Sequence, residues 1–365
     1  MRRGVSNQLF ILVLFVVTGF LAAPMSVAAQ VNLPDFIESM DLKGDLRVRY
    51  DYQDLDEASE NDPKDRLRIR FRMGFAWHNP AENWKIAAGL ATGGASGNTS
   101  NATFSDDEIF ETGDIRLDYA YAEHSLKHVK FIAGQHKNIF YSSMALWDSD
   151  MRPAGFAARV DFKPVFLNAG YFQVRYVDRD IAEMNAFQAG VDLGNFLVAL
   201  AIYNVHDTEE ILSDVANLGS DYAYQIADFY TGCDFSIAPV SISPHAQVFY
   251  NFGADGDAGQ GALGGDLDPE DENLGWLVGV KAKMDRYSLG IEYTEIGADA
   301  CIQDIKDSDF GSGLASTDVK GFKIGIGYKV TRHCEFKTTG FFYEPLERDL
   351  DQNVDRYQFD LKYKF

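Results

Sequence analysis

The chain has 365 residues, and its 33 basic and 55 acidic side chains give a formal net charge of −22 at pH 7. This acidic balance argues against nucleic acid as a partner and against docking on anionic lipid through a basic patch. The three cysteines, Cys233, Cys301 and Cys334, are too few for a disulfide scaffold, and we expect them to be structurally incidental.

The N-terminus has the features of a secretory signal peptide. Arg2 and Arg3 form a basic region, residues 9–23 form an apolar region, and Val27-Ala28-Ala29 is a small-residue cleavage site. We therefore predict a cleaved signal peptide over residues 1–29 and one domain over residues 30–365. An uncleaved anchor helix is the alternative.

From residue 42 onward, apolar residues recur with a period of two, which indicates strands rather than helices. In the first predicted strand, Leu46 and Val48 lie on one face and Arg47 and Arg49 on the other. After the N-terminal region no run of about eighteen apolar residues occurs, so we expect no transmembrane helix. The pattern predicts sixteen strands, at residues 42–53, 65–78, 84–93, 115–125, 129–138, 155–163, 166–176, 185–193, 196–206, 222–236, 240–251, 274–284, 287–297, 320–330, 334–344 and 354–365.

The connections between these strands are mostly alternately short and long. Alternation of faces alone would also fit a soluble sandwich with its apolar face inside. However, sixteen strands of about ten residues, with aromatic residues near their ends, are typical of a bilayer-spanning barrel with a wide, wet lumen. We predict an all-β membrane protein: one closed antiparallel transmembrane β-barrel of about sixteen strands, with short periplasmic turns and long extracellular loops.

The second strand contains the sequence DRLRIRFRM, which places Arg66, Arg68, Arg70 and Arg72 on one face. Facing lipid, each arginine would cost about 2–4 kcal/mol near the bilayer midplane, so we expect all four to face the lumen. Barrel closure would set the last strand beside the first and extend this basic sector of the wall. Its other predicted members are Arg47, Arg49, Lys85, Arg356, Lys362 and Lys364.

The last segment, RYQFDLKYKF, alternates aromatic residues and ends on Phe365. It resembles the C-terminal signature of outer-membrane barrel proteins, here Tyr363 and Phe365. The resemblance implies that this strand closes the barrel and is read by the insertion machinery, after periplasmic chaperones have delivered the chain.

A second resemblance lies in the middle of the chain, in GQHKNIFYSSMALWDSDMRPAGFAARVDF. This segment resembles the putative porin family of Gram-negative bacteria, with matching residues at Gly134, Gln135, Trp147, Asp148, Asp150 and Pro153; Ala154 stands where an acidic residue is expected. The resemblance implies a sixteen-stranded diffusion channel in the outer membrane that assembles as a homotrimer.

The family likeness also implies that the third long loop, with Trp147, Asp148, Asp150 and Pro153, folds inward. A basic wall facing this acidic loop would produce a transverse field across a constriction, and charged rings set selectivity in channels. The alternative is that some arginines only pair with lumen carboxylates such as Asp45, Asp51 and Asp118.

No catalytic or metal-ligand motif is present, since neither HExxH nor GxSxG occurs. We expect no enzyme activity, cofactor or metal site, and a porin for small hydrophilic solutes and ions. The alternatives are a substrate-specific anion channel, a barrel phospholipase or protease whose triad assembles from distant strands, and a plugged structural or adhesive barrel. The acidic loop at residues 253–273 is either simply solvated or a loose divalent site that bridges to lipopolysaccharide phosphates.

Overall fold

The computed structural model describes residues 38–55, 63–94, 97–105, 109, 113–178, 180–207, 212, 222–348 and 352–365. The predicted signal peptide lies outside these residues. In the described part of the chain, no helix is long and apolar enough to cross a membrane.

Within the residues that the structure describes, eighteen strand segments form one antiparallel sheet. They are β1 (Met40–Leu55), β2 (Lys64–Asn79), β3 (Trp84–Thr92), β4 (Ala102–Thr103), β5 (Ile115–Ser125), β6 (Val129–Gln135), β7 (Ala154–Phe162), β8 (Val165–Val177), β9 (Asp180–Asp192), β10 (Phe196–His206), β11 (Gln225–Cys233), β12 (Phe235–Ile237), β13 (Val240–Asn251), β14 (Leu274–Met284), β15 (Tyr287–Ile296), β16 (Val319–Lys329), β17 (Cys334–Pro345) and β18 (Val354–Lys364).

Two of the eighteen segments are not separate spanning strands. The two-residue β4 pairs with β2, and β12 continues β11 along the same partner strand, β13. The other sixteen correspond one to one with the sixteen predicted strands. The largest difference is the start of β9, which lies at Asp180 rather than at residue 185, because the β8–β9 hairpin continues past a register shift near Gln173.

The sheet closes on itself, because β1 pairs with β2 on one side and with β18 on the other. The predicted closed antiparallel barrel is therefore confirmed. Its apolar face is the exposed one: Leu67 is 54% exposed, whereas Arg70, three residues later on the opposite face, is 5% exposed. A sandwich would show the reverse, so this arrangement indicates an apolar outer surface around a polar interior.

The closing seam includes the final residue of the chain. The backbone N–H of Phe365 donates to Gly44 O at 3.1 Å, and the N–H of Gly44 donates to Phe365 O at 3.0 Å. The Phe365 ring stacks on Phe71, with ring centroids 6.3 Å apart. Position 44 has room for this ring only because it is glycine, since a Cβ there would overlap the ring.

Candidate functional site

The barrel encloses a cavity of about 890 Å³ whose walls carry mostly polar and charged side chains. Five members of the predicted basic sector line it, and so do Trp147, Asp148 and Asp150 of the predicted inward loop. The five basic residues are Arg47, Arg49, Arg70, Arg72 and Lys362.

The arginines of β2 face the interior and pair with two carboxylates of β1. Asp45 accepts from Arg70 at 2.8 Å and from Arg72 at 2.9 Å. Asp51 pairs with Arg66 at 2.8 Å and with Arg68 at 3.4 Å. The wall therefore consists of arginines that share carboxylates, and this sharing relieves the repulsion of an unbroken basic ladder.

The other predicted members of the basic sector do not line the cavity. Arg356 is 2% exposed and is held by Asp51, and Lys85 lies 3.9 Å from Glu123. Lys364 lies at the end of β18, where its carbonyl accepts from the His333 ring. Arg66 and Arg68 complete this group. The basic sector predicted from sequence thus consists of two groups of side chains. One group faces the cavity, and the other is bound into the wall or lies near its ends.

The predicted alternative pairing of Asp118 with an arginine of the basic sector is wrong. Its carboxylate accepts from Arg152, in the β6–β7 loop, at 3.4 Å rather than from an arginine of β1 or β2. Strand β3 lies between β5 and β2 and so separates Asp118 from the β2 arginines.

The β6–β7 loop, residues 136–153, runs inward along the far wall and is held there by three buried side-chain amides. Gln188 on β9 accepts from the Tyr141 N–H and donates to the Tyr141 carbonyl, both at 2.9 Å. Asn168 on β8 donates to Ile139 O at 3.1 Å, and Gln247 on β13 accepts from Ser143 N at 2.7 Å. These bonds satisfy loop backbone groups that would otherwise be buried without partners.

Beyond these amides the loop is anchored by apolar packing. Trp147 is buried against Tyr203 of β10, with ring centroids 6.1 Å apart, and Leu146 joins the same buried cluster. The carbonyl of Pro153 accepts from His136 N at 3.0 Å and closes the base of the loop. Trp147 and Pro153 therefore position the loop, and Asp148 and Asp150 are its charged groups at the cavity.

A second loop also enters the lumen. The β15–β16 loop, residues 297–318, pairs with the β6–β7 loop through two backbone hydrogen bonds: Asp148 N donates to Ile305 O at 2.7 Å, and Asp307 N donates to Met144 O at 3.0 Å. Ile302, Ile305 and Phe310 are buried in the same apolar cluster as Trp147. The sequence predicts this segment only as a long polar connection, although the apolar residues inside the acidic stretch CIQDIKDSDF indicate that it packs against something.

The two loops touch the arginine wall at two points. Asp309 lies 3.2 Å from Arg49 and 2.9 Å from Arg356. Asp150 lies 3.2 Å from Arg72 and accepts from Ser100 Oγ at 2.8 Å.

The loop carboxylates differ in their ionisation. Burial would raise the pKa of Asp150, but the charges of Arg70 and Arg72 and the Ser100 hydrogen bond lower it below its usual value. Burial opposes ionisation of Asp309 as well, and the charges of Arg356 and Arg49 hold its pKa well below the usual range. In contrast, burial and the nearby charge of Asp307 raise the pKa of Asp148 to about 7. The site therefore combines carboxylates that stay ionised with one that titrates near neutral pH.

Among the residues that the structure describes, no group of three or more His, Cys, Asp or Glu side chains could hold a metal ion. This statement includes the described acidic loop at residues 253–273.

A closed antiparallel barrel with an apolar outer face, a charged lumen and an inward loop has the architecture of a porin-type membrane barrel. Residues 55–189 match the model of the family described as "Putative porin". The matched segment includes the motif from Gly134 to Pro153, so the resemblance found in the sequence is confirmed there. No curated protein matches the chain in sequence.

Three solved structures illustrate the likeness of fold. OmpF of Salmonella typhi, in complex with daunomycin, has a TM-score of 0.58 and 14% identity over 89% of this chain and 97% of that chain. A triple mutant of the Rhodopseudomonas blastica porin has a TM-score of 0.53 and 11% identity, over 89% and 100% of the two chains. OmpT of Vibrio cholerae, with loop L8 deleted, has a TM-score of 0.51 and 12% identity, over 90% and 100%. At these identities the likeness shows the fold.

Proposed function

We propose that this chain is an outer-membrane porin that forms a water-filled channel for passive diffusion of small hydrophilic solutes and ions. One observation carries the proposal: the barrel presents apolar side chains outward and encloses a charged cavity of about 890 Å³. A polar lumen inside an apolar belt is the arrangement that lets water and ions cross a bilayer.

We assign the constriction to the arginine wall and the two inward loops. Arg47, Arg70 and Arg72 approach the cavity from one side, and Asp148 and Asp307 approach it from the loops. Opposite charges across a narrow, low-dielectric passage produce a transverse field, which orients dipolar solutes and selects ions by charge. No cofactor or covalent step is required, because transport consists of sieving and electrostatic steering.

Single-channel recording in planar bilayers tests this proposal. The purified, folded barrel should produce discrete conductance steps, and a salt gradient should give a reversal potential that reports charge selectivity. A barrel that is shown to be folded by its β-sheet circular dichroism and its heat-shifted mobility, yet gives no steps, would contradict the channel. That result would favour the plugged structural or adhesive barrel.

Two alternatives have distinct measurements. A substrate-specific anion channel would show conductance that saturates with one anion, whereas a diffusion porin conducts in proportion to bulk concentration. A barrel phospholipase or protease would hydrolyse lipid or peptide in detergent. Hydrolysis by the purified chain that survives repeated purification would favour the enzyme.

The same proposal includes the cellular setting. We place the barrel in the outer membrane of a Gram-negative bacterium, in contact with lipid and lipopolysaccharide. The terminal aromatic strand with Tyr363 and Phe365 supports recognition by periplasmic chaperones and the barrel insertion machinery. We propose a homotrimer, which chemical cross-linking in isolated outer membranes would resolve as a band of three chains.

A further inference from the structure

Three lumen cations form a cluster that the arginine wall does not explain. Arg47 on β1 lies directly across from Lys362 on β18 in the strand register. Lys337 on β17 lies directly across from Asp360, two residues from Lys362 on the same face. Directly opposed Cβ atoms are about 4.5–5.5 Å apart and diagonal neighbours about 7–8 Å, so these three long side chains can reach one point. All three line the cavity, and we call them the cation triad.

The triad lacks matching carboxylates. Within the described residues, neither Lys337 nor Lys362 forms an ion pair, although Glu335 lies directly across from Lys362. Arg47 Nη2 donates to Asn101 Oδ1 at 2.5 Å, but the carboxylate that pairs with Arg47 is Asp360 at 3.8 Å, and it already accepts two hydrogen bonds from Arg49, at 2.6 and 2.9 Å. Arg47 is 9% exposed, and its Nε has no hydrogen-bond partner among the described residues.

We propose that the cation triad binds a phosphate group, either inorganic phosphate or the phosphate of a small monoester. Like charges at directly opposed and diagonal positions of neighbouring strands repel unless a counter-ion screens them, and a divalent tetrahedral oxyanion offers several acceptor oxygens to one guanidinium and two ammonium groups. The proposal rests on the proposed channel, because the solute reaches the triad through the lumen. Binding of the phosphate group at the triad adds a binding step to passive diffusion through the channel.

Phosphorus-31 line broadening of inorganic phosphate, titrated with the folded barrel in zwitterionic detergent, tests the site without any current. The wild type should broaden the signal in a saturable way. The double variant Lys337→Gln, Lys362→Gln should weaken the apparent affinity at least about tenfold, because it removes two charged donors. Unsaturable broadening, or equal affinity in this variant, would overturn the proposal.

The matched control removes the same charge elsewhere in the barrel. Lys130 pairs with Glu123 at 3.0 Å and Lys320 with Glu344 at 3.6 Å, and neither lines the cavity. The double variant Lys130→Gln, Lys320→Gln should bind phosphate as the wild type does. An equal loss in this control would show that overall charge, rather than the triad, draws the anion, and would overturn the site.

Bilayer recording separates this proposal from the channel itself. Phosphate added at constant ionic strength should reduce the chloride current of the wild type and leave the Lys337/Lys362 variant unaffected. Saturable broadening without conductance steps would support the site and contradict the channel. Conductance steps without saturable broadening would support the channel and contradict the site.

Displacement of inorganic phosphate by glycerol 3-phosphate would show that monoesters bind, and failure to displace would restrict the site to the free ion.

Discussion

Asp309, in the β15–β16 loop, forms an ion pair of 2.9 Å with Arg356, a side chain of β18 that is 2% exposed. The same carboxylate lies 3.2 Å from Arg49. Each arginine also binds a wall carboxylate, Asp51 for Arg356 and Asp360 for Arg49. A residue distant in sequence from the predicted constriction loop thus neutralises part of the arginine wall and ties the second loop to it.

Removal of this carboxylate should change selectivity in one direction. In Asp309→Asn, two wall arginines lose a negative partner, so the lumen becomes more positive and the reversal potential should move towards that of a more anion-selective channel. Single-channel conductance should rise as the loop loosens. Asp355→Asn, which removes an exposed carboxylate outside the cavity, is the control and should leave both values unchanged. A reversal potential equal to that of the wild type would show that Asp309 does not face the permeating ions.

The arginines of β2 should divide by position. Arg70 and Arg72 line the cavity, whereas Arg66 and Arg68 do not. The double variant Arg70→Ala, Arg72→Ala should therefore shift the reversal potential towards cations, since Asp45 and Asp150 lose their partners. The double variant Arg66→Ala, Arg68→Ala removes the same charge from the same strand and should shift it much less. Equal shifts in the two variants would mean that the charge of the strand acts as a whole.

Selectivity should depend on pH near neutrality because the pKa of Asp148 is raised to about 7. Above that pH the carboxylate is ionised and adds negative charge to the passage, so cations should be favoured. Below it the group is protonated and neutral, so the reversal potential should move towards anions. Measurements between pH 5 and pH 9 should show this transition in the wild type and lose it in Asp148→Asn. A transition that survives in the variant would have to arise from another group.

The seam of the barrel offers a test of assembly. Gly44→Ala places a Cβ against the Phe365 ring and Arg72 O. Overpacking of this kind costs about 1–3 kcal/mol, so the folded barrel should unfold at a lower urea concentration. Gly94→Ala is the matched control, because a Cβ there meets nothing within 4 Å. If the Gly44→Ala variant unfolded at the same urea concentration as the wild type, the Phe365 ring would be able to move aside without loss of stability.

The strands were predictable because their pattern is local: the period of two within a strand does not depend on which strand pairs with it. As a result, β5, β10, β13 and β14 have the predicted bounds. The inward orientation of Arg70 and Arg72 followed from the cost of placing charge in lipid. The path of the β15–β16 loop had no periodic signal, only apolar residues inside an acidic stretch. Ile302, Ile305 and Phe310 do not follow one strand or helix spacing, and their burial depends on Trp147, more than 150 residues away in the sequence.

The pairing of the two inward loops limits how the channel can be altered. Asp148 and Ile305 share a backbone hydrogen bond, and Leu146 and Trp147 lie in one apolar cluster with Ile302 and Ile305. Shortening either loop alone would expose apolar side chains of the other loop to water, and this exposed apolar area would destabilise the folded barrel. Engineered changes of pore width should therefore replace both loops together, as a single transferable part of the barrel.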